Sequence, residues 1–187
     1  MQTTPRYYIV GTKYGRERDV LPLMIEHSVI STGFAADVDL RRLVGAGKPK
    51  IEARLRALLP ESEHGGVQTL VRFLGIRPGD LIALKAHSAP IQQRPRLVIT
   101  RYAVVRGGSK PCYRLLDDLG HTLEVDFLDE QEPIEFPLGY GKAIHEITDK
   151  DRIAQIFRRY ASVASEEVSR TQSKDKNTGQ SIVSSRG

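Results

Sequence analysis

The chain of 187 residues contains no tryptophan and a single cysteine, Cys112. One thiol excludes an intramolecular disulfide, a CxxC redox pair and a thiolate zinc cluster. With no histidine beside it and no helix start to activate it, Cys112 reads as a half-buried strand residue and not as a nucleophile. No stretch approaches the ~18–20 consecutive apolar residues of a membrane-spanning helix. The opening MQTTPRYY lacks the apolar run of a secretory leader, so the expectation is a cytoplasmic protein with no membrane partner. Histidines 27, 64, 87, 121 and 145 are scattered, and none falls in an HxH or HExxH spacing. Serines 28, 31 and 88 have no GxSxG elbow around them, and no glycine cluster matches a phosphate-cradling P-loop. The expectation is therefore a non-enzymatic chain with no catalytic residues, no metal and no cofactor.

What is present is an ordinary globular composition, 40% apolar and 27% charged, over a length that supports one core. The net charge of +5 favours an anionic partner. From residue 161 onward the chain is dominated by Ser, Thr, Asn, Gln and charges, too poor in apolar groups to offset ordering entropy. That segment carries four basic residues (Arg170, Lys174, Lys176, Arg186) against three acidic ones (Glu166, Glu167, Asp175), leaving +4 on residues 1–160. The organisation expected is one domain over 1–160 and a disordered polar tail over 161–187.

Tyr7–Val10 reads as a first strand and Val20–Ile30 as a short helix with Pro22 in its first turn, followed by a turn at Ser31–Phe34. Residues 37–74 read as helical. Asp37 caps a short turn ending at Gly45, Lys48–Leu59 carries Ile51, Leu55, Leu58 and Leu59 at helical spacing, and Ser62 caps a helix ending at Gly75. The Arg and Lys residues of 41–56 suit a solvated helix face or a phosphate-contacting one. Strands follow at Leu81–Ala86, Leu97–Val105, Tyr113–Leu116, Thr122–Leu128 and Ala143–Ile147. In Thr122–Leu128, period two puts Leu123, Val125 and Phe127 on a covered face and Thr122, Glu124 and Asp126 on a wet one. Thr148 caps a final helix whose Ile153, Ile156, Phe157 and Tyr160 form one apolar stripe. The acids Asp126, Asp129, Glu130, Glu132 and Glu135, interrupted by Pro133 and Pro137, read as a solvated loop.

Two segments carry a resemblance. Gly75-Ile-Arg-Pro-Gly-Asp-Leu-Ile-Ala-Leu-Lys-Ala86, followed by Leu97–Val105, resembles the "GD-hydrophobic-IAIK" strand and its successor in EVE-like (PUA-like) domains. Such domains occur beside McrB-type restriction GTPases and in related defence proteins. Glu132–Asp149, running into the last helix, is similar to the closing segment of the same family. Tyr7–Gly11 and Gly33-Phe34 sit where the family has its first strand and its glycine–aromatic turn. The resemblance implies an α+β fold: a PUA-like twisted pseudo-barrel sheet with flanking helices. It implies a reader of DNA or RNA that draws a flipped, often modified, base into a pocket on the sheet, in antiviral defence or nucleic-acid metabolism. The family usually places tryptophan or another aromatic around the pocket; with no tryptophan here, Phe34 takes the place of the aromatic after the glycine, and Tyr7, Tyr8, Tyr14 and Tyr102 are the candidates for the rest.

The candidate nucleic-acid-binding residues on that reading are Tyr8, Ser31, Phe34, Lys85, His87, Ser88, Arg96 and Arg101, with Arg94 and Arg106 as further phosphate contacts. A regular strand points Arg101 and Arg106 to opposite faces, so both serve one groove only across a bulge. Two other readings stand beside it. One is an adaptor that docks a separate nuclease or ATPase, and the other is a small metal-dependent nuclease using the acids of 126–135.

Overall fold

A computed structural model describes residues 4–15, 17–88, 96–128 and 132–160, the side chains of His87 and Ser88 excepted. The tail at 161–187, Arg94 and the acids Asp129 and Glu130 lie outside the described residues. The elements in chain order are β1 (Tyr7–Gly11), β2 (Lys13–Tyr14), β3 (Arg18–Asp19), α1 (Leu21–Glu26), β4 (Val29–Thr32), α2 (Lys48–Leu58), α3 (His64–Leu74), β5 (Leu81–Ser88), β6 (Leu97–Val105), β7 (Tyr113–Leu116), β8 (Gly120–Phe127), β9 (Ile134–Phe136), β10 (Ile144–Ile147) and α4 (Lys150–Ile156).

Eight of the strands form one mixed sheet whose main path runs β10-β1-β5-β6-β8-β4, with β7 added to β8 and β9 to β6. Only β1 and β5 pair in parallel, Tyr7 opposite Leu81 through Gly11 opposite Lys85. β2 and β3 form a separate two-stranded ribbon. The sheet curls into a half-barrel. Val10 and Ile144 from one end of the path share a single buried cluster with Val29 and Ile30 from the other.

The concave face is filled. Tyr8, Ile82, Leu84, Ala103, Leu123 and Val125 pack there against Met24 of α1, Ile51 and Leu55 of α2, and Val67, Leu70 and Leu74 of α3. The convex face carries a second cluster, in which Ile9, Leu81, Ala83, Ile99 and Tyr102 meet Ile156, Phe157 and Tyr160. Alternation along β1 explains both, since Tyr8 and Val10 point inward and Ile9 outward. Phe157 stacks edge-on to Tyr7 and Tyr102 with centroids at 5.0 and 5.6 Å, and the Tyr102 hydroxyl donates to the Ile156 carbonyl at 2.6 Å.

The Pro78-Gly79-Asp80 turn has a structural role. Asp80 is buried and accepts from the Arg6 amide (2.9 Å), the Arg6 guanidinium (2.8 Å) and the Arg77 amide (2.8 Å). Arg6 also donates to the Gly75 carbonyl at 2.5 Å, so one buried acid fastens the start of β1 to the turn before β5.

Several sequence expectations shift. The apolar stretch 20–30 divides into α1 and β4, with Ser28 at φ 51° making the corner, and Ser31 and Thr32 belong to the strand instead of a turn. Asp39, not Asp37, caps locally by accepting from the Arg41 amide at 2.8 Å. Glu61–Glu63 forms its own 3-10 turn, so α3 begins at His64 and Ser62 caps nothing. Asp149, not Thr148, caps α4, accepting from the Arg152 amide at 2.8 Å. Thr122 is buried because β4 and β7 flank it in β8, and its hydroxyl donates to the Arg114 carbonyl at 2.9 Å. Part of the acidic run, read as a loop, is β9, pairing Leu97 with Phe136. Cys112 is exposed and lies just outside β7.

Candidate functional site

Because the concave face is occupied, the interior of the half-barrel is not a receptor. Tyr8, expected on a pocket wall, is wholly buried in that core with the Arg6 guanidinium 5.4 Å from its ring centroid. The opening lies instead at the seam where the two ends of the curled sheet approach without pairing. A cleft of about 360 Å³ is bounded there by Lys13 and Tyr14 of β2, Ser31 and Thr32 of β4, Gly33-Phe34, and Ala143-Ile144 at the start of β10. This volume falls within the roughly 300–1,000 Å³ typical of small-molecule sites.

Tyr14 spans the seam. Its hydroxyl lies 2.5 Å from the Leu119 carbonyl and 2.6 Å from the Ser31 hydroxyl. A phenol has one proton and a carbonyl can only accept, so Tyr14 donates to Leu119 and accepts from Ser31. Burial pushes the Tyr14 hydroxyl up to about 12, so it stays protonated and keeps that donor role. Gly33 is required where the Tyr14 ring crosses it: a Cβ there would lie 2.9 Å from Cε2. Ser31 is therefore a buried brace, while Phe34 is the exposed aromatic, at 42%.

Phe34 is held from behind. Its ring packs on Gly66 of α3, where a Cβ would fall 2.6 Å from Cδ1. The loop that follows is clamped by a buried relay. The Leu40 amide donates to the Tyr113 hydroxyl (3.2 Å), Tyr113 donates to His121 Nδ1 (2.7 Å), and His121 Nε2 donates to the Ala35 carbonyl (3.0 Å). The carbonyl fixes the tautomer, and burial lowers the His121 pKa, which keeps the ring neutral. On the far side of Phe34 a second depression of about 450 Å³ is lined by Ala36, Asp37, Leu59, Glu63 and Leu70.

Lys85 does not enter the cleft. It points to the convex face beside Gly11, is almost fully buried, and donates to the carbonyls of Tyr140 and Lys142 (the latter at 2.7 Å). Burial pulls its ammonium down to about 8. Its work is to hold the 138–143 loop, whose Ala143 carbonyl accepts from the Gly11 amide at 2.8 Å and whose next residues form the cleft wall. His145 sits in the same neighbourhood, accepting through Nε2 from the Lys142 amide at 3.2 Å. Burial first, and then the charges of Lys85 and Lys142, pull its pKa down to about 4.

The remaining candidates scatter. His87 and Ser88 extend the backbone of β5 opposite Val98 and Leu97. Arg96 is exposed and pairs with Glu135 at 2.7 Å. Arg101 is half-buried opposite Leu84, and Arg106 pairs with Asp126 and Glu124. The structure thus gathers Ser31 and Phe34, places Lys85 behind the wall, and puts Tyr8, Arg96 and Arg106 elsewhere. Of the four tyrosines, Tyr14 alone lines the cleft, whereas Tyr7 and Tyr102 pack on Phe157. Lys13 and Thr32 were missed. Lys13 falls in the polar stretch between the expected Tyr7–Val10 strand and Val20–Ile30 helix, which carries no site motif, and Thr32 in the turn expected at Ser31–Phe34.

Among the described residues no three His, Cys, Asp or Glu side chains converge on a possible metal site, and no helix is long and apolar enough to cross a membrane. No family model matches the chain, and no curated protein matches it.

Proposed function

We propose that this chain is a nucleic-acid reader of the EVE-like (PUA-like) kind, in which an unstacked base enters the seam cleft and lies against Phe34. The observation that carries the reading is the cleft itself: an exposed aromatic face held rigidly by Gly66 and the His121 relay, beside the cation Lys13. A flipped base needs a π-face to stack on and a few fixed polar groups at its edge. Preorganisation supports this, since a clamped aromatic loses little entropy when a ring settles on it. The cellular role that goes with the reading is restriction-type defence or nucleic-acid metabolism.

Fluorescence anisotropy with modified and unmodified oligonucleotides, at about 50 and 200 mM salt, tests it. The wild type binds, and Phe34→Ala weakens binding roughly 5- to 150-fold, the range set by ~1–3 kcal/mol per stacked base. Affinity indifferent to salt, to base identity and to Phe34 overturns the assignment.

A further inference from the structure

The charge on this molecule is unevenly placed. Residues 41–59, which form a 3-10 turn at Arg41–Leu43 and then α2, hold six Lys or Arg and one Glu. That segment therefore carries a net +5, equal to the whole chain's charge, and the rest of the sequence sums to zero.

Ion pairing narrows the free cations to part of that segment. Arg6, Arg18, Arg96, Arg106 and Arg114 all have carboxylate partners within 4.0 Å, and within the basic segment Arg41, Lys48 and Arg56 pair with Asp39, Glu146 and Glu52. Arg42, Lys50 and Arg54 are exposed and have no carboxylate partner among the described residues. Ile51 and Leu55 are the buried anchors of α2, so Lys50, Ala53, Arg54 and Ala57 share its outer stripe at i, i+3, i+4 and i+7. Ala53 between the two cations and Ala57 one turn beyond leave no bulk to keep a flat anionic strand away. A further cation reaches this surface from a distant loop. Lys110 lies against Gly45, where a Cβ would be 3.6 Å from its Cγ. At its far end α2 runs into Leu59, which lines the depression behind Phe34 and so joins the basic face to the cleft's aromatic.

We infer that the outer face of α2, with Arg42 and Lys110, is the docking rail for the sugar-phosphate backbone of the nucleic acid whose base the cleft takes, an inference that rests on the reader assignment. Lys50 and Arg54, one helical turn apart, meet successive phosphates, and Arg42 and Lys110 extend the track beyond the helix start. Arg96 and Arg106, which flank β6, are locally neutralised by Glu135 and by Asp126 and Glu124, and contribute little.

The test measures anisotropy of a labelled duplex and a labelled single strand with the full chain across a salt series, comparing wild type, the Arg42→Ala/Lys50→Ala/Arg54→Ala variant and Arg96→Ala/Arg106→Ala. Loss of three phosphate contacts lowers the log–log salt slope by about 2–3 and affinity at low salt by at least tenfold. The Arg96→Ala/Arg106→Ala variant changes affinity less than threefold. All three side chains of the triple variant are exposed, and an unchanged thermal melt verifies its fold. If the wild type binds with a steep slope and the triple variant keeps it, the rail is wrong while the reader stands. If the wild type binds no oligonucleotide, the reader itself fails. Binding to phosphatidylserine vesicles that the triple variant loses, with no oligonucleotide binding, overturns the inference in favour of a lipid surface.

Discussion

The two ends of β1 meet opposite electrostatic environments. At its start, the buried carboxylate of Asp80 receives three N–H groups and faces a guanidinium, so every charge there has its counterpart. At its end, the buried ammonium of Lys85 finds only neutral carbonyls, and the adjoining seam leaves an aromatic ring and Lys13 facing solvent. Matched charge at one pole locks the chain path. Incomplete closure at the other leaves groups available for a partner. Charge matching and an open, solvent-facing seam are thus separated along a single strand.

That division can be broken most severely at the matched pole. Asp80→Ala strands two amides and leaves the Arg6 guanidinium with only the Gly75 carbonyl and Glu146 at 4.0 Å, and is expected to cost about 3 kcal/mol in urea-induced unfolding, as when one member of a buried pair is removed. Next in size is the response to acid. The folded-state pKa values of His121 and His145 are depressed, so the unfolded chain takes up protons first as pH falls. The histidine contribution to stability is whole above about pH 6.5 and declines toward pH 4, by on the order of 2 kcal/mol. A pH series of denaturant melts detects this, and His145→Gln flattens part of the decline.

At the open pole the effects on stability shrink. Gly66→Ala gains up to ~1 kcal/mol of helix propensity but drives a methyl into the Phe34 ring. The expected outcome is a melting temperature close to wild type together with weakened oligonucleotide binding. Phe34→Ala, on a ring already 42% exposed, should cost less than about 1 kcal/mol in the same melts. A loss as large as that of Asp80→Ala would mean that the seam is structural after all.

The regular elements were legible where periodicity and burial coincide. The stripe Ile153, Ile156, Phe157, Tyr160 packs on the convex face as its spacing implies, and Leu97–Val105 is a strand over the residues expected. Legibility failed where tertiary neighbours decide. Thr122 looks like an outward strand residue, yet β4 and β7 bury it. Ile134–Phe136, flanked by prolines and carrying Glu135, looks like a loop, yet the free edge of β6 recruits it. At the site, Phe34 was readable from its glycine–aromatic turn. Tyr8 was misplaced, because nothing local tells which face of β1 turns toward the helices. The role of Tyr14 depends on Leu119, a contact between chain segments that no local pattern encodes.

The placement of β1 also bears on how the molecule is made. This strand is apolar and is hydrogen-bonded to two segments much later in the chain, β5 on one side and β10 on the other, with Tyr7 opposite both Leu81 and Ile147. During synthesis neither edge can be satisfied until those distant segments have left the ribosome. The nascent chain therefore carries β1 unpaired until β5 has emerged, and with one bare edge until β10 follows. Slow folding dominated by non-local contacts, and a dependence of soluble yield on expression temperature, follow from that topology.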